Sequence, residues 1–313
     1  MSEFWFFLEV LLSGMFAGTM YALVALGFVL IFKASGVFNF AQGTMVLFAA
    51  LCFVGFLEMG LPIAVAGIIS IGIMIAWAFA VERLVLRHLV NQAPIILFMA
   101  TIGISFFLEG FGEFIWGGDV HPLDIGIPNG AWFVGPEGVM LIDQFDLSAA
   151  VIAGVLVLSL ALFFHYTRIG RALRAVADDH QAALSVGIPL NRIWVIVWSV
   201  AGFVALVAGI IWGSRLGVQF ALSIVALKAL PVLILGGFTS VPGAIIGGLI
   251  IGTGEKMAEI YGAPAMESLV TALSGTDSVS LGGVEEWFAY VIAMFFLLFR
   301  PQGLFGERII ERV

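Results

Sequence analysis

The 313-residue chain is 62% hydrophobic and only 11% charged, with a mean hydropathy of +1.14. Soluble domains carry about a quarter charged residues, so this composition excludes a water-exposed globular surface and predicts an integral membrane protein. The single cysteine, Cys52, excludes an internal disulfide and a cysteine-based metal cluster. The net charge of −8 is less informative than the position of the charges, because the distribution of Lys and Arg sets the orientation of a membrane protein.

Apolar runs that are long enough, or nearly long enough, to cross a bilayer recur along the whole chain. A spanning helix needs about 20 apolar residues. The runs lie at 10–32, 44–57, 62–81, 94–115, 147–167, 193–214, 223–238, 241–260 and 286–300. We therefore expect an all-α polytopic membrane protein, with one transmembrane domain over 1–313 and about 8–10 transmembrane or re-entrant helices.

The segments between these runs differ in charge. Basic residues collect in 82–93, in 168–192 and in the tail from 300, whereas 116–146 and 262–286 carry acidic residues and neither Lys nor Arg. Since cytoplasmic loops carry the excess of Lys and Arg, we expect the basic segments and the C-terminus on the cytoplasmic side of the membrane. Counting passes from these segments gives about nine crossings and an outside N-terminus.

Residues 116–146 form the predicted outer loop. The loop is rich in Gly and Pro, which predicts an ordered cap of turns. Its Trp116, Trp132 and Phe133 indicate either anchoring at the membrane interface or a docking surface for a soluble partner. Arg215, at the outer end of its run, does not fit the predicted orientation.

The first interruption of the apolar pattern is the stretch 30–45. It contains Lys33, Ser35, Gly36, Asn39, Gln42 and Gly43 between apolar residues. Two interpretations are open: a cytoplasmic turn between two helices, or a broken helix within the membrane, which would move the N-terminus inside. A break at depth must be buried in protein or line a wet cavity, and transporters bind substrate at such breaks.

A second interruption lies nearer the C-terminus. It contains Gly236, Gly237, Thr239, Ser240, Pro242 and Gly243, which end one helix and begin another. Gly243/Gly247 and Gly248/Gly252 are small-residue pairs that allow helices to pack closely. Corresponding breaks in two halves of a transporter point to one site near the membrane midplane, so we expect the two breaks to share a binding site.

Residues 168–192 read as two short amphipathic helices on the cytoplasmic side. The apolar residues at helical spacing are Ala172, Leu173, Val176 and Ala177, then Ala183, Leu184 and Ile188. Asp178 or Asp179 is the expected cap of the second helix, which ends at Gly187 before Pro189. The pair either lies on anionic lipid through its arginines or inserts into a groove of a protein partner, which its alanines and paired aspartates favour.

Groups that would drive transport or catalysis are few in this sequence. The ionisable candidates in or near the apolar runs are Glu109, Glu113, Lys228, Glu255 and Lys256. The four histidines have no metal-ligand spacing, and the sequence has neither a Walker-type phosphate loop nor a nucleophile–base pair. We expect no catalytic residue, metal or cofactor in this chain, and a power source on another subunit.

Three stretches together resemble the permease subunits of branched-chain amino acid (leucine/isoleucine/valine) ABC transporters. They are MYALVALGFVLIFKASGVFNFAQG (20–43), GRALRAVADDHQAALSVGI (170–188) and VLILGGFTSVPGAIIGG (232–248), and the resemblance continues to FRPQGLFG (299–306). The family implies an importer with a second permease subunit in a heterodimer, two ATP-binding subunits that carry ATP-Mg, and a periplasmic substrate-binding protein. It implies no nucleic-acid partner.

The resemblance also implies which residues carry function. Segment 170–188 is the expected ATPase-coupling segment, with Arg171, Arg174, Asp178, Asp179, Ala182, Ala183 and Gly187. The expected substrate path contains Ser35, Phe38, Asn39, Phe40, Gln42, Gly43, Gly236, Gly237, Thr239 and Ser240. An apolar cavity at these residues suits a small zwitterion, whose carboxylate a half-helix N-terminus would face.

Three alternatives remain at this stage. The family often has His at the position of Gln42 and Gly at that of Lys33, so an importer of urea or short amides is also compatible with the sequence. A stand-alone channel or facilitator, with 168–192 lying on lipid, is the alternative from a different class. The permease can also leave substrate selection to the binding protein, in which case the residues of the breaks only gate.

Overall fold

The computed structural model describes residues 2–89, 92–135, 138, 140–178, 180–274 and 283–306. Its helices are α1 (Ser2–Ser35), α2 (Gln42–Glu58), α3 (Ile63–Leu84), α4 (Pro94–Trp116), α5 (Gln144–Tyr166), α6 (Arg168–Asp178), α7 (His180–Ser185), α8 (Leu190–Leu216), α9 (Ala221–Val225), α10 (Ala229–Gly236), α11 (Val241–Met257), α12 (Ala263–Ser274) and α13 (Val284–Phe299). Short 3-10 turns cover Leu86–Leu89 and Ala226–Lys228, and a π-helical turn covers Ala258–Gly262. The two strands are β1 (Ala131–Val134) and β2 (Met140–Asp143).

The fold is the predicted all-α polytopic membrane protein. Within the described residues, α1, α3, α4, α5 and α8 are long and apolar enough to cross a membrane. A sixth candidate is the pair Ala221–Gly236 and Val241–Leu273, which is bent by 113° at the second break. The shorter apolar helices Gln42–Glu58 and Trp287–Phe299 account for the remaining predicted runs. One helix was not expected, because α12 lies in the acidic segment predicted as an outer connection.

Helices α1 and α8 form the centre of the bundle. The most apolar window of α1 is 72% buried and that of α8 is 61% buried, against 22–33% for α3, α4 and α5. The outer helices therefore present their apolar side chains to the surroundings, as lipid-facing helices do. Helix α2 lies in the core, since every residue of 42–55 is buried.

Helix α1 packs closely against α11 through the predicted small-residue seam. A Cβ on Gly252 would lie 2.4 Å from the backbone nitrogen of Gly18, and one on Gly248 would lie 2.6 Å from its carbonyl oxygen. Both neighbours are backbone atoms, so a side chain at either position forces the helices apart. The seam fixes α11 against the central helix of the bundle.

One end of the bundle carries the predicted outer loop, and we call it the hairpin end. Strands β1 and β2 pair antiparallel, with Ala131 opposite Asp143, so this part of the loop is a hairpin and not only a series of turns. The start of α1 lies here, because Glu9 Oε2 accepts a hydrogen bond of 2.9 Å from the backbone N–H of Leu141. The loop also contacts the end of α2, where His121 Nδ1 lies 2.8 Å from Glu58 Oε1.

Arg215 and the aromatic residues of the outer loop make distinct contacts at this end. Arg215 forms an ion pair with Asp146 and stacks over Phe145, with its guanidinium 5.6 Å from the ring centroid. A basic residue at this end therefore has a local partner, which explains why it departs from the charge pattern. Trp132 and Phe133 are exposed, whereas Trp116 is half-buried and packs on Gly55 and Phe48.

The opposite end, which we call the tail end, carries the last turn of α1, the corner between α5 and α6, and the segment 300–306. The backbone N–H of Leu304 donates to the carbonyl of Leu235 at 2.8 Å, and that of Phe305 donates to Gly236 at 3.1 Å. The segment thus pairs with the last carbonyls of α10, which a helix cannot satisfy internally.

Candidate translocation and coupling sites

The first break lies at depth within the bundle. After α1 ends, residues 36–41 run back beside its last turns, so that Phe38 stacks on Phe28 with ring centroids 4.9 Å apart. Gln42, which begins α2, lies against Gly27. Gly27 is eight residues before Ser35, so α2 starts about 12 Å further into the bundle than α1 ends. Helix α2 ends at Glu58, beside His121 of the hairpin-end loop, so it starts within the bundle and runs back antiparallel to α1, and the two helices do not form one discontinuous pass.

Side chains satisfy the backbone of this break. Asn39 Oδ1 accepts from the Ala41 N–H at 3.1 Å. Thr101 of α4 accepts from the Phe40 N–H at 3.1 Å and also lies 3.4 Å from the Phe38 carbonyl. Trp194 of α8 donates to the Ala34 carbonyl at 3.0 Å. Non-helical backbone at membrane depth requires such partners, because lipid offers none.

Two polar residues expected on the substrate path are buried in this network. Asn39 and Gln42 both have 0% of their surface exposed. Gln42 Nε2 donates to the Ala201 carbonyl of α8 at 3.4 Å, and Asn39 Nδ2 lies 3.5 Å from Gln42 Oε1. Their present contacts are therefore within the subunit.

The other predicted residues of the first break differ in their burial and in their contacts. Ser35 is half-buried, and its hydroxyl donates to the Ile31 carbonyl at 2.8 Å. Phe38 and Phe40 are half-buried. Gly43 is buried, and a Cβ there would lie 2.3 Å from the carbonyl oxygen of Ser223. This close approach places α9, which precedes α10 in the chain, against the start of α2.

The second break adjoins the first. Phe238 lies 5.3 Å from Phe32 and 6.4 Å from Phe38 between ring centroids, and Lys33 Nζ donates to the Thr239 carbonyl at 3.3 Å. The structure therefore brings the two breaks together. It does so near the tail end of α1 and not at its middle, because Phe32 and Lys33 belong to the last turn of that helix.

Glycines make the second break tight. Gly237 has a φ of +104°, in the left-handed region that other residues rarely adopt. A Cβ on Gly236 would lie 2.2 Å from the Gly243 carbonyl oxygen, so the two helices almost touch where the chain bends. Ser240 caps α11 by accepting from the Gly243 N–H at 3.0 Å. Gly236 and Gly237 are buried, whereas Thr239 and Ser240 are half-buried at the edge of a cavity.

The predicted coupling segment forms two short helices, α6 and α7, between α5 and α8. The buried face of α6 is Gly170, Leu173 and Val176, which follow one another at three-residue spacing. Helix α7 ends at Ser185, and Gly187, where the sequence predicted the end, follows two residues later with a φ of +84°. The Gly187 and Ile188 N–H groups donate to the Leu184 and Ala183 carbonyls, both at 3.0 Å, which is a Schellman motif.

The coupling residues divide between the surface and the interior. Arg171, Asp178, Ala182 and Gly187 are exposed, whereas Ala183 is buried. Arg174 is half-buried, and its guanidinium donates to the Phe164 and His165 carbonyls at 2.8 and 3.3 Å, so it fixes α6 to the end of α5. Asp179 lies outside the described residues.

Sequence reasoning missed residues at both sites. Thr101 supports the first break, and its only signal was a polar residue in an apolar run. Leu184 was placed on the apolar face of α7, but it is 50% exposed, and Val186 beside it is 74% exposed. A helical pattern over six residues is too short to fix which side faces the protein.

The arrangement defines a class of protein: a polytopic helical membrane protein with two adjoining interruptions between helices and a short amphipathic helix pair between two spans. The family described as "Branched-chain amino acid transport system / permease component" matches residues 10–298, and the chain belongs to this family. It is a transport permease subunit.

Full-length relatives carry the same description. The high-affinity branched-chain amino acid transport system permease protein LivH of Escherichia coli K12 is 29% identical, over 99% of this chain and 99% of the relative. BraD of Pseudomonas aeruginosa, a permease with the same description, is 28% identical over 100% of both chains. The ribose import permease protein RbsC of Escherichia coli is 28% identical over 74% of this chain and 72% of its own length.

Proposed function

We propose that this chain is the membrane-spanning permease subunit of an ATP-driven importer for branched-chain or related hydrophobic amino acids. The observation that carries the proposal is the end-to-end similarity to LivH and BraD, at 29% and 28% identity. The partial similarity to a ribose permease covers less of either chain. We therefore favour an amino-acid substrate over a sugar, a urea or a short amide.

The proposed orientation places the tail end in the cytoplasm. The tail end carries the arginines of α6 and Arg300 beside the last turn of α1, whereas the hairpin end carries an acidic loop. The positive-inside rule then gives a cytoplasmic C-terminus in the bacterial inner membrane. In this orientation α1 begins outside, and α6 and α7 face the cytoplasm.

The proposed substrate path runs where the two breaks meet. Phe38 and Phe40 offer an apolar wall for a branched side chain, and the N-terminus of α11 at Ser240 offers a positive dipole end for a carboxylate. Asn39 and Gln42 hold the path closed through bonds within the subunit. Movement of α2 against α8 would break the Gln42 bond to Ala201 and open the path.

The proposed coupling surface is the exposed side of α6 and α7. Two apolar side chains, Leu184 and Val186, project there beside the charged Arg171 and Asp178. Apolar side chains in the cytoplasm require cover, and a groove of an ATPase subunit provides it. The complete importer then contains a second permease subunit, two ATP-binding subunits that carry ATP-Mg, and a periplasmic binding protein.

Uptake into proteoliposomes tests this function. The reconstituted assembly, with its binding protein outside and ATP inside, should accumulate radiolabelled leucine, isoleucine or valine, and excess urea, acetamide or ribose should not compete. Uptake should stop when ATP is replaced by ADP. Uptake that equilibrates without ATP supports the facilitator, and competition by urea or ribose identifies a different substrate class.

A pull-down from mild detergent tests the coupling surface. Val186→Asp places a charge at a 74% exposed apolar position, so the permease should fold while the ATPase subunits are lost. Met59→Asp is the matched control, because Met59 is 72% exposed at the turn between α2 and α3, near the hairpin end. Equal ATPase recovery with both variants would show that α7 does not dock the ATPase.

A further inference from the structure

Helix α4 carries an acidic side chain well inside its membrane-spanning length. The other outer helices, α3 and α5, have ionisable residues only in their first or last turns, whereas Glu109 lies seven residues before Trp116, which ends α4. Seven residues correspond to about 10 Å of helix. A carboxylate at such depth is costly in lipid, and ionisable residues there almost always face protein or a water-filled cavity.

The subunit itself gives Glu109 no partner among the described residues. The side chain is half-buried and makes neither a hydrogen bond nor an ion pair with any of them. Helix α2 covers the face of α4 where Leu108 is buried, and Trp77 of α3 stacks on Phe107, with ring centroids 5.7 Å apart. Phe107 and Glu109 lie about 100° to either side of Leu108 around the helix. Glu109 therefore lies on the flank opposite α3.

The exposed side of α4 next to Glu109 has a shape that suits helix packing. Phe106 is 69% exposed and lies between Gly103 and Gly110, which are exposed and where a Cβ would meet no atom within 4 Å. Glycines beside a large side chain let a second helix approach closely in lipid. Gly72 of α3 is equally open, but α3 has no ionisable residue near it, so an exposed glycine alone does not define a contact surface.

We propose that this side of α4 packs against a transmembrane helix of the second permease subunit, which presents a basic or hydrogen-bond-donating side chain to Glu109. The charge supports that occupant, because Glu113, one turn further on, is a second carboxylate that pairs with no described basic residue. Lipid tails offer no donor, whereas a helix of a membrane partner does. The inference rests on the proposed function for the second permease subunit, but it does not depend on the transported substrate.

The ammonium group of a transported amino acid is the alternative partner for Glu109, and the position of the residue disfavours it. Thr101, which bonds the backbone of the first break, lies eight residues before Glu109 in α4. Eight residues correspond to about 12 Å of helix. The ammonium and carboxylate groups of an amino acid are attached to the same carbon, so a substrate bound at the breaks would not place its ammonium at Glu109.

Photo-crosslinking in the assembled importer tests what covers this surface. The photoreactive residue p-benzoylphenylalanine replaces Phe106, or Phe79 as the matched control, because Phe79 is an exposed phenylalanine of α3. After illumination of native membranes, the importer is purified through a tag on this chain, and the cross-linked peptides are identified by mass spectrometry. We expect the probe at Phe106 to form an adduct with the second permease subunit and the probe at Phe79 to form none.

Two substitutions test the packing and the charge. Gly110→Leu should reduce the second permease subunit retained in mild detergent about tenfold, as overpacking of a close contact does. Gly72→Leu is the matched control and should retain it, since neither position has an atom of the subunit within 4 Å of a Cβ. Glu109→Leu should also weaken retention, because the donor on the partner loses its acceptor, and Glu109→Gln should restore part of it.

Several results would overturn the proposal. An adduct of the Phe106 probe with lipid alone, or equal loss in Gly110→Leu and Gly72→Leu, would show that this side of α4 faces the bilayer. Full retention in Glu109→Leu would show that no partner group needs the carboxylate, and full retention with lost uptake would assign Glu109 to the substrate. Absence of any second permease subunit from the unmodified importer would instead contradict the proposed function, so the two failures are distinguishable.

Discussion

The corner between α5 and α6 allows a direct test of how the proposed coupling helices, α6 and α7, are held against the bundle. A Cβ on Gly170 would lie 1.7 Å from the carbonyl oxygen of Phe164, 2.4 Å from its carbonyl carbon and 2.7 Å from its Cα. All three are backbone atoms at the end of α5, so no side chain can move aside. Gly170→Ala must therefore displace α6 itself.

The size of that displacement follows from the geometry. Ordinary contact begins at 3.4 Å, so the new Cβ and the Phe164 oxygen must separate by about 1.7 Å. Gly170 lies three residues beyond Thr167, which caps α6, or about 4.5 Å along the helix. A rotation of about 20° about the corner gives this separation, and it moves the far end of the helix at Asp178 by about 6 Å. Such a movement would displace the exposed surface of α6 and α7 from the position that the proposed ATPase contact requires.

The assay compares ATP hydrolysis with leucine uptake in the reconstituted importer. We expect Gly170→Ala to assemble, at a cost of about 1–3 kcal/mol for overpacking, and to hydrolyse ATP with uptake reduced at least tenfold. Gly154→Ala is the matched control, since Gly154 lies in α5 and a Cβ there meets no atom within 4 Å. Normal uptake by Gly170→Ala would refute the argument that this corner transmits the movement. An equal loss in Gly154→Ala would attribute the effect to α5 in general.

Further predictions concern contacts that hold the breaks and the hairpin end. Thr101→Val keeps the shape but removes the hydroxyl that bonds the Phe40 N–H, so the assembly should lose about 1–3 kcal/mol of stability, whereas Thr101→Ser should melt near the unmodified protein. If the valine variant melts normally, the break does not need this partner. Arg215→Gln and Asp146→Asn should each lower the melting temperature slightly, with a coupling of at most about 1 kcal/mol in a double-mutant cycle because Arg215 is 42% exposed. Additive effects would show that the pair contributes no stability.

Much of the fold was predictable because the signal is strong and repeated. Each apolar run corresponds to a helix, since a chain in lipid must satisfy its backbone internally. Helix α12 was missed for a related reason. Its stretch APAMESLVTALS is too polar and short to predict a span, and composition alone does not distinguish a surface helix from a loop.

Which side chains of the short helices α6 and α7 face the protein was harder to predict. Arg174 and Arg171 look equivalent in the sequence, yet Arg174 is half-buried and donates to the Phe164 carbonyl at 2.8 Å, whereas Arg171 is exposed and reaches the Tyr166 carbonyl at 3.4 Å. Which of the two arginines is buried depends on where α5 ends relative to α6, and this is a property of the tertiary structure. The same holds for Leu184, whose apolar character suggested burial although it projects from α7.

The polar residues of the first break show why sequence alone identifies such a site without assigning roles within it. A membrane protein places Asn or Gln in an apolar run either to contact a polar substrate or to satisfy a broken backbone, and both uses give the same pattern. Asn39 and Gln42 contact Ala41, Met45, Ala201 and each other within the subunit, which matches the second use. If the Gln42 bond to Ala201 opens during transport, the released amide groups would face the proposed substrate path. The same two residues would then serve both uses. Unpaired amides at that depth would cost about 1–3 kcal/mol each, so these contacts within the subunit stabilise the first break.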